Sequence, residues 1–357
     1  MERDKIDKEF SSYFKEKIEN NFIEYEIKKK SFDGSKRAVY HLINKNDEND
    51  VIFIKQMKIF KEKKINQETL KEIYFLVLLR QVEENYFCKL NEIKIFDDKK
   101  FVFIIFIENK ISLNMIMNPQ ILKNEEFIQW VAFCTCLELF YLHHNNIVHN
   151  DIKPSNILIG GEPFISICDF GAMRYEGEKS KEYTKYYVAP EYFLNDGKRR
   201  NKSDMWSLGI TLIEIFYFKN ISEKELEELD KEKKAEFFLE LGIKEKYDSS
   251  KEEENKINYE KIKEIVKDEK AIHLIEKLVV FEPEKRYSAE EALKSEYLYD
   301  FFKDSSFNCD KLTQNFDKFL NIYNRINYLK DENDFAGIIN ELDLLLKGFI
   351  ELDNKVK

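Results

Sequence analysis

The chain has 357 residues, 43% hydrophobic and 14% aromatic, which is ample material for packed interiors and ordinary for two lobes with short extensions. A formal charge of −10 disfavours a protein that works by neutralising nucleic-acid phosphates, so no nucleic-acid partner is expected. The charged N-terminus, Met1-Glu2-Arg3-Asp4-Lys5, lacks the apolar core of a signal peptide. The most apolar run, Phe101 to Ile107, is too short to span a bilayer as a helix. The five cysteines (Cys88, Cys134, Cys136, Cys168 and Cys309) form no CxxC pair, no His/Cys metal spacing and no even-numbered framework. Reduced thiols follow, and with them a soluble cytoplasmic protein, the nucleus being left open.

In chain order, the first third is rich in strand signals. Glu24–Phe32, Ala38–Ile43, Val51–Met57, Phe87–Phe96 and Phe101–Ile107 carry β-branched and aromatic residues, separated by turn-like clusters such as 44–50 and 97–100. Between the third and fourth of these, Gln67–Val82 has helical spacing, with Leu70, Ile73, Leu76 and Leu79 on related turns. The pattern predicts an antiparallel sheet with one helix against it. After Asn109 the signals turn helical: Phe127–His144, Ser203–Phe218, Glu269–Val280 and Ser288–Lys294, the last opened by Ser288 with Glu291 at capping-box spacing. The highly charged Lys224–Lys256 reads as a helix pair with a solvated stretch at Ser249–Asn255. Beyond Phe302, a stripe of Phe335, Ile338, Ile339, Leu342, Leu345, Leu346 and Phe349 must bury itself, either on the main body or against a partner protein.

The stretch that carries chemistry is His149-Asn150-Asp151-Ile152-Lys153-Pro154-Ser155-Asn156, followed by the apolar Ile157-Leu158-Ile159. Asp169-Phe170-Gly171 comes next, then Ala189-Pro190-Glu191. In this order and at these separations, the three resemble the catalytic loop, metal-binding motif and substrate-loop anchor of eukaryotic-type protein kinases. A lone Asp-Phe-Gly carries little weight; three ordered matches leave chance a poor explanation. Further matches, Ser203-Asp204-Met205-Trp206-Ser207-Leu208-Gly209 and Pro283-Glu284-Lys285-Arg286, extend the resemblance over residues 24–300 or so.

The resemblance implies an α+β, two-lobed protein kinase fold. A small sheet lobe with one helix would occupy residues 23–108 and a mainly helical lobe 109–302, between an N-terminal extension, 1–22, and a helical C-terminal one, 303–357. It also implies a transferase that moves the γ-phosphate of ATP, with Mg²⁺, onto a protein hydroxyl. Phosphoryl transfer asks a protein mainly to position reactants and offset negative charge, which explains the residue types. Asp151 would receive the hydroxyl proton, and Lys153 would face the transferring phosphoryl oxygens. Asn156 and Asp169 would give hard oxygen ligands to Mg²⁺. Lys55 would anchor phosphates, aimed by Glu72, with Lys58 as the competing lysine. Gly34, Val39, Phe53 and Leu158 would line the nucleotide site. Asp204 would hold the catalytic loop, and Arg286 would pair with Glu191. Lys153, together with Thr184 ahead of Ala189-Pro190-Glu191, matches the serine/threonine pattern, with Thr184 tied to Asp151 and Lys153.

Three departures stand out. The phosphate-covering loop, Phe32 to Val39, keeps only Gly34 of its glycines, which costs close backbone approach; Lys36 or Arg37 would compensate with charge. Phe53 stands where the family has a small alanine over the adenine ring. Asn150 replaces the arginine that receives the phosphate of a modified activation loop, so activity is expected not to need phosphorylation between Gly171 and Ala189. The poor glycine loop and Phe53 favour an alternative, a pseudokinase acting as a nucleotide-binding or allosteric scaffold; intact Lys55, Asp151, Asn156 and Asp169 favour the enzyme.

Overall fold

Alternation along the third strand divides the first sheet into two unlike faces. In the computed structural model, residues 16 and 18–303 are described, apart from 34–36, 49, 59, 62–63, 66, 81–86, 88–89, 96–100, 108–109, 161–164, 180–182, 195–196, 198–199 and 248–255. The described residues form two units. One runs through Thr69 and takes in 90–107; the other holds Leu70 to Phe87 and Lys110 onward. The glycine-loop positions 34–36, the solvated stretch 249–255 and the C-terminal stripe 335–349 lie outside the described residues.

The smaller unit is a five-stranded antiparallel sheet. Its strands are β1 (Tyr25–Asp33), β2 (Arg37–Asn44), β3 (Val51–Lys58), β4 (Leu90–Ile95) and β5 (Phe101–Ile107), in the order β1-β2-β3-β5-β4. Tyr40 pairs with Ile54 and Ile54 with Ile105, while Leu42 pairs with Ile52. Opposed residues share a face. That face is a core of Tyr40, Leu42, Ile52, Ile54, Phe103 and Ile105, closed by Ile18, Phe22 and Tyr25. Each fully buried aliphatic side chain here contributes about 1.5–3 kcal/mol of transfer free energy. Pairing of Val39 with Lys55, His41 with Phe53, Lys55 with Ile104 and Phe53 with Phe106 puts these residues on the opposite face.

In the larger unit, helix α1 (Gln67–Arg80) turns Lys71, Glu72 and Tyr74 toward the interior from Leu70 on. Helices α2 (Glu125–His144) and α3 (Asn201–Asn220) form the central layer. Buried residues of α3 run without a break from Ser203 to Phe216, the pattern of a helix enclosed on every side. Gly209 permits this, because a Cβ there would meet Val279 Cγ2 at 2.6 Å and Leu278 Cβ at 2.9 Å.

Two short ladders position the motifs. A three-stranded sheet has the order β9-β8-β6, where β6 is Ile111–Ser112, β8 Ile157–Ile159 and β9 Ile165–Ile167. Strand β7 (Ile147–Val148) pairs with β10 (Arg174–Tyr175). The charged stretch after α3 holds two helices, α4 (Glu223–Glu227) and α5 (Lys231–Glu240), capped by Ser222 and Asp230. Helices α6 (Tyr259–Val266), α7 (Glu269–Leu278) and α8 (Ala289–Leu293) complete the unit, the last with the Ser288/Glu291 capping box. Among the described residues, no helix is long and apolar enough to cross a membrane.

One buried ion pair ties this unit together. Arg286 is 1% exposed and its guanidinium meets Glu191 through two bonds, 2.8 and 3.1 Å, while also donating to the carbonyls of Val280 and Lys202. Arg286→Leu leaves Glu191 buried without its partner and should cost about 3–5 kcal/mol in urea unfolding. A Glu191→Met/Arg286→Leu double variant should lose less than the single one. Equal losses would show that the orphaned charge is not the cost.

Candidate active site

The loop after β7 is buried, so its backbone N–H groups need partners. Asp204, fully buried in the first turn of α3, supplies them: Oδ2 accepts from the His149 N–H at 2.7 Å and Oδ1 from the Asn150 N–H at 2.8 Å. The helix N-terminus favours the carboxylate's negative charge. His143 Nε2, from the last turn of α2, is a third partner at 3.0 Å. His149 is itself completely buried. The Asp151 N–H donates to its Nδ1 at 3.3 Å, which leaves the proton on Nε2, 3.1 Å from the Cys168 carbonyl. One neutral imidazole thus links the residue before Asp169 to Asp151.

The Asp151 carboxylate gathers three donors. Oδ2 accepts from Lys153 Nζ at 2.7 Å and from Asn156 Nδ2 at 2.8 Å, and Oδ1 accepts from the Thr184 hydroxyl at 2.5 Å. Lys153 also donates to Thr184 Oγ1 at 3.0 Å, closing a ring of side chains. Asn156 spends its amide nitrogen on Asp151, which leaves its carbonyl oxygen as the atom for another ligand. Asp169 follows β9 and takes a left-handed conformation, φ 64°. No cluster of three or more His, Cys, Asp or Glu fit for a metal occurs among the described residues. The hard oxygens of Asn156 and Asp169 suit a small ion that completes its shell with phosphate oxygens and water, as Mg²⁺ does.

Asn150 occupies the left-handed region at φ 69°, where asparagine is among the better tolerated residues. Its Nδ2 donates to the carbonyls of Val148 at 3.2 Å and Ala172 at 3.0 Å. A neutral amide therefore bridges the loop after β7 and the segment after Asp169-Phe170-Gly171. Lys71 Nζ to Glu178 at 2.7 Å, and Tyr74 to Tyr175 hydroxyl at 2.9 Å, join α1 to the same segment. Sequence reasoning missed these ties, because single lysines and tyrosines on a helix carry no signature.

The segment that carries Thr184 is anchored further on. Tyr186, at φ 68°, stacks on Phe238 of α5 with ring centroids 5.1 Å apart and donates to Glu245 at 3.0 Å. A left-handed tyrosine costs roughly 1–2 kcal/mol, which these contacts offset. Tyr187 donates to the buried Glu214, which also pairs with Lys234. Burial, then the Glu214 charge, raises the Tyr187 hydroxyl well above its ordinary value, keeping it a donor.

In the smaller unit, Lys55 is buried on β3, between Val39 and Ile104 in register. The Phe53 ring lies flat against His41, at a centroid distance of 4.7 Å and an interplanar angle of 11°. In the larger unit, Glu72 is buried on α1, and Leu158 sits on β8 opposite Ser112.

Fold and motif geometry agree with comparison to known proteins. Residues 25–298 match the family described as Protein kinase domain. Mitogen-activated protein kinase 15 of Xenopus laevis is 27% identical over 300 residues, covering 78% of this chain and 50% of that protein. Extracellular signal-regulated kinase 2 of Dictyostelium discoideum is 31% identical over 202 residues, 54% of each. Mitogen-activated protein kinase sty1 of Schizosaccharomyces pombe is 30% identical over 268 residues, 68% of this chain and 72% of that protein. The match spans about half the length of the first two relatives. The chain belongs to the eukaryotic-type protein kinase superfamily, on the serine/threonine side.

The buried histidine makes a pH prediction. Burial is the main influence and holds the His149 imidazole below its ordinary value, against the pull of Asp204, Asp151, Asp169 and the Cys168 carbonyl. The unfolded chain, with a value near 6.5, therefore takes up the proton first. Stability from this group is intact above about pH 6.5 and is lost as pH falls through the depressed folded value. Urea midpoints should fall more steeply between about pH 7 and 5.5 for the natural chain than for His149→Gln. Parallel slopes would contradict the assignment of a neutral imidazole.

Proposed function

We propose that the chain transfers the γ-phosphoryl group of ATP to a serine or threonine hydroxyl of a protein substrate. The observation that carries this reading is the ring in which Lys153, Asn156 and Thr184 all point donors at the Asp151 carboxylate. A carboxylate so fixed is ready to accept the hydroxyl proton without reorganising. Lys153 sits beside it as a cation for the phosphoryl oxygens, and Thr184 ties the segment that presents the substrate to the base. The Asn156 amide oxygen and the Asp169 carboxylate would hold Mg²⁺, which neutralises phosphate charge when bound. Lys55, aimed by Glu72, would take the nucleotide phosphates. Val39, Phe53 and Leu158 would flank the base, with Gly34 in the covering loop. The setting is a compartment that supplies ATP and Mg²⁺, the cytoplasm or the nucleus.

A scaffold without turnover is the second reading, favoured by Phe53, whose ring adds aromatic bulk beside Lys55. Its stacking on His41 gives that ring a partner within the sheet and so weakens this reading.

Activity should not need a phosphate on the activation segment. The Asn150 amide, the Lys71–Glu178 pair and the Tyr74–Tyr175 bond already tie that segment to the loop and to α1 without a phosphate. Purified protein with Mg²⁺-ATP and a generic protein acceptor should yield phosphoserine or phosphothreonine, and Asp169→Ala should yield none. Prior phosphatase treatment should change the rate by no more than about twofold. Equal signal from the Asp169→Ala protein would mark a contaminant. Silence from a folded natural chain would favour the scaffold, and a large loss after phosphatase would overturn the built-in tie.

A further inference from the structure

Strand β9 delivers the chain to Cys168 and Asp169, and it is the outer strand of its sheet. An outer antiparallel strand turns alternate N–H groups away from its neighbour, and a buried one must find an acceptor elsewhere. The Ile167 N–H faces outward in this way, because Cys168, next along, is the residue whose N–H reaches back to the Asn156 carbonyl, at 2.9 Å. The acceptor is Glu138, 1% exposed in the middle of α2, whose two oxygens lie 3.1 and 3.0 Å from the Ile167 nitrogen. Lys110, 5% exposed, donates to Ser166 Oγ on the same strand at 3.1 Å.

A carboxyl buried in the middle of a helix costs several kcal/mol unless its bonds are made, so its presence calls for a use. The use is visible downstream. The Ile167 N–H is held by Glu138, the Cys168 N–H by Asn156, and the Cys168 carbonyl by His149 Nε2. The next residue, Asp169, then enters a left-handed conformation that few side chains adopt unaided. Its direction depends on the frame that precedes it.

We propose that Glu138 is a positioning residue for Asp169, acting through the Ile167 N–H to set the carboxylate toward a nucleotide-bound Mg²⁺. This rests on the kinase reading of Asp169, and the test separates the two. Burial is the main influence on the Glu138 carboxyl and raises it well above its ordinary value, so glutamine, a neutral side chain of equal length with an acceptor oxygen, reproduces its hydrogen bond. The Lys110 ammonium acts on the Glu138 carboxyl, so the apolar pair Glu138→Leu/Lys110→Met removes the acceptor without stranding that buried cation, and guards against a single variant that fails to fold.

Two measurements on the full chain decide it. Without nucleotide or metal, amide hydrogen exchange at Ile167 and Cys168 should speed up by about tenfold in the double variant and stay near natural in Glu138→Gln. By calorimetry, the gain in ATP affinity that Mg²⁺ confers should shrink by about tenfold in the double variant, with Mg²⁺-free ATP affinity unchanged, and be restored in Glu138→Gln. A double variant that keeps natural exchange or the natural Mg²⁺ gain overturns the role of Glu138 alone. So does a folded Glu138→Gln that behaves like the double variant. A natural chain that gains nothing from Mg²⁺ overturns the reading of Asp169 and this inference with it.

Discussion

A buried loop can keep its shape only if its backbone donors are satisfied, and here that task falls to the Asp204 carboxylate. Two consecutive N–H groups, of His149 and Asn150, end on its two oxygens. Their fixed direction sends Asp151 out of the loop toward Lys153, Asn156 and Thr184. The same turn of chain places the His149 ring against the Cys168 carbonyl, so the frame of Asp169 depends on it as well. Removing this one carboxyl would unseat Asp151 and loosen the segment that carries Asp169 together.

Neutral side chains add to these charged anchors. The Asn150 amide, the His149 imidazole and the Thr184 hydroxyl each bridge two segments that are distant in sequence. Such bonds are directional and do not titrate near neutrality, apart from the imidazole. The enclosed pair of Arg286 and Glu191 fastens the segment that follows Thr184 to the helical core. Of the five left-handed non-glycine residues among the described residues, three, Asn150, Asp169 and Tyr186, lie in the motif-bearing segments, each held there by the contacts around it.

Much of this was legible in the sequence, for a physical reason. Runs of β-branched and aromatic residues such as Val51–Met57 and Phe101–Ile107 declare strands because such side chains suit a pleated, packed surface, and β3 and β5 follow them within a residue. The long helices extend slightly past their apolar spans, α2 beginning at Glu125 after the Asn124 cap and α3 ending at Asn220. The Asp204 and Arg286 contacts were readable because each belongs to an ordered motif. Glu138, Lys110 and the Lys71–Glu178 pair were not, since a single charged residue outside a motif looks solvated until its burial or partner is seen. The stacking of Phe53 on His41 was also hidden, because it depends on strand register.

In the proposed reaction the Asp151 carboxylate is the proton acceptor, a role distinct from any part in folding or in holding nucleotide. Single-turnover transfer at saturating Mg²⁺-ATP, comparing Asp151→Asn with the natural chain, tests this most directly. The expected result is a loss of roughly a hundredfold to ten-thousandfold in rate with nucleotide affinity and melting temperature preserved. A variant that transfers phosphate at the natural rate would contradict it.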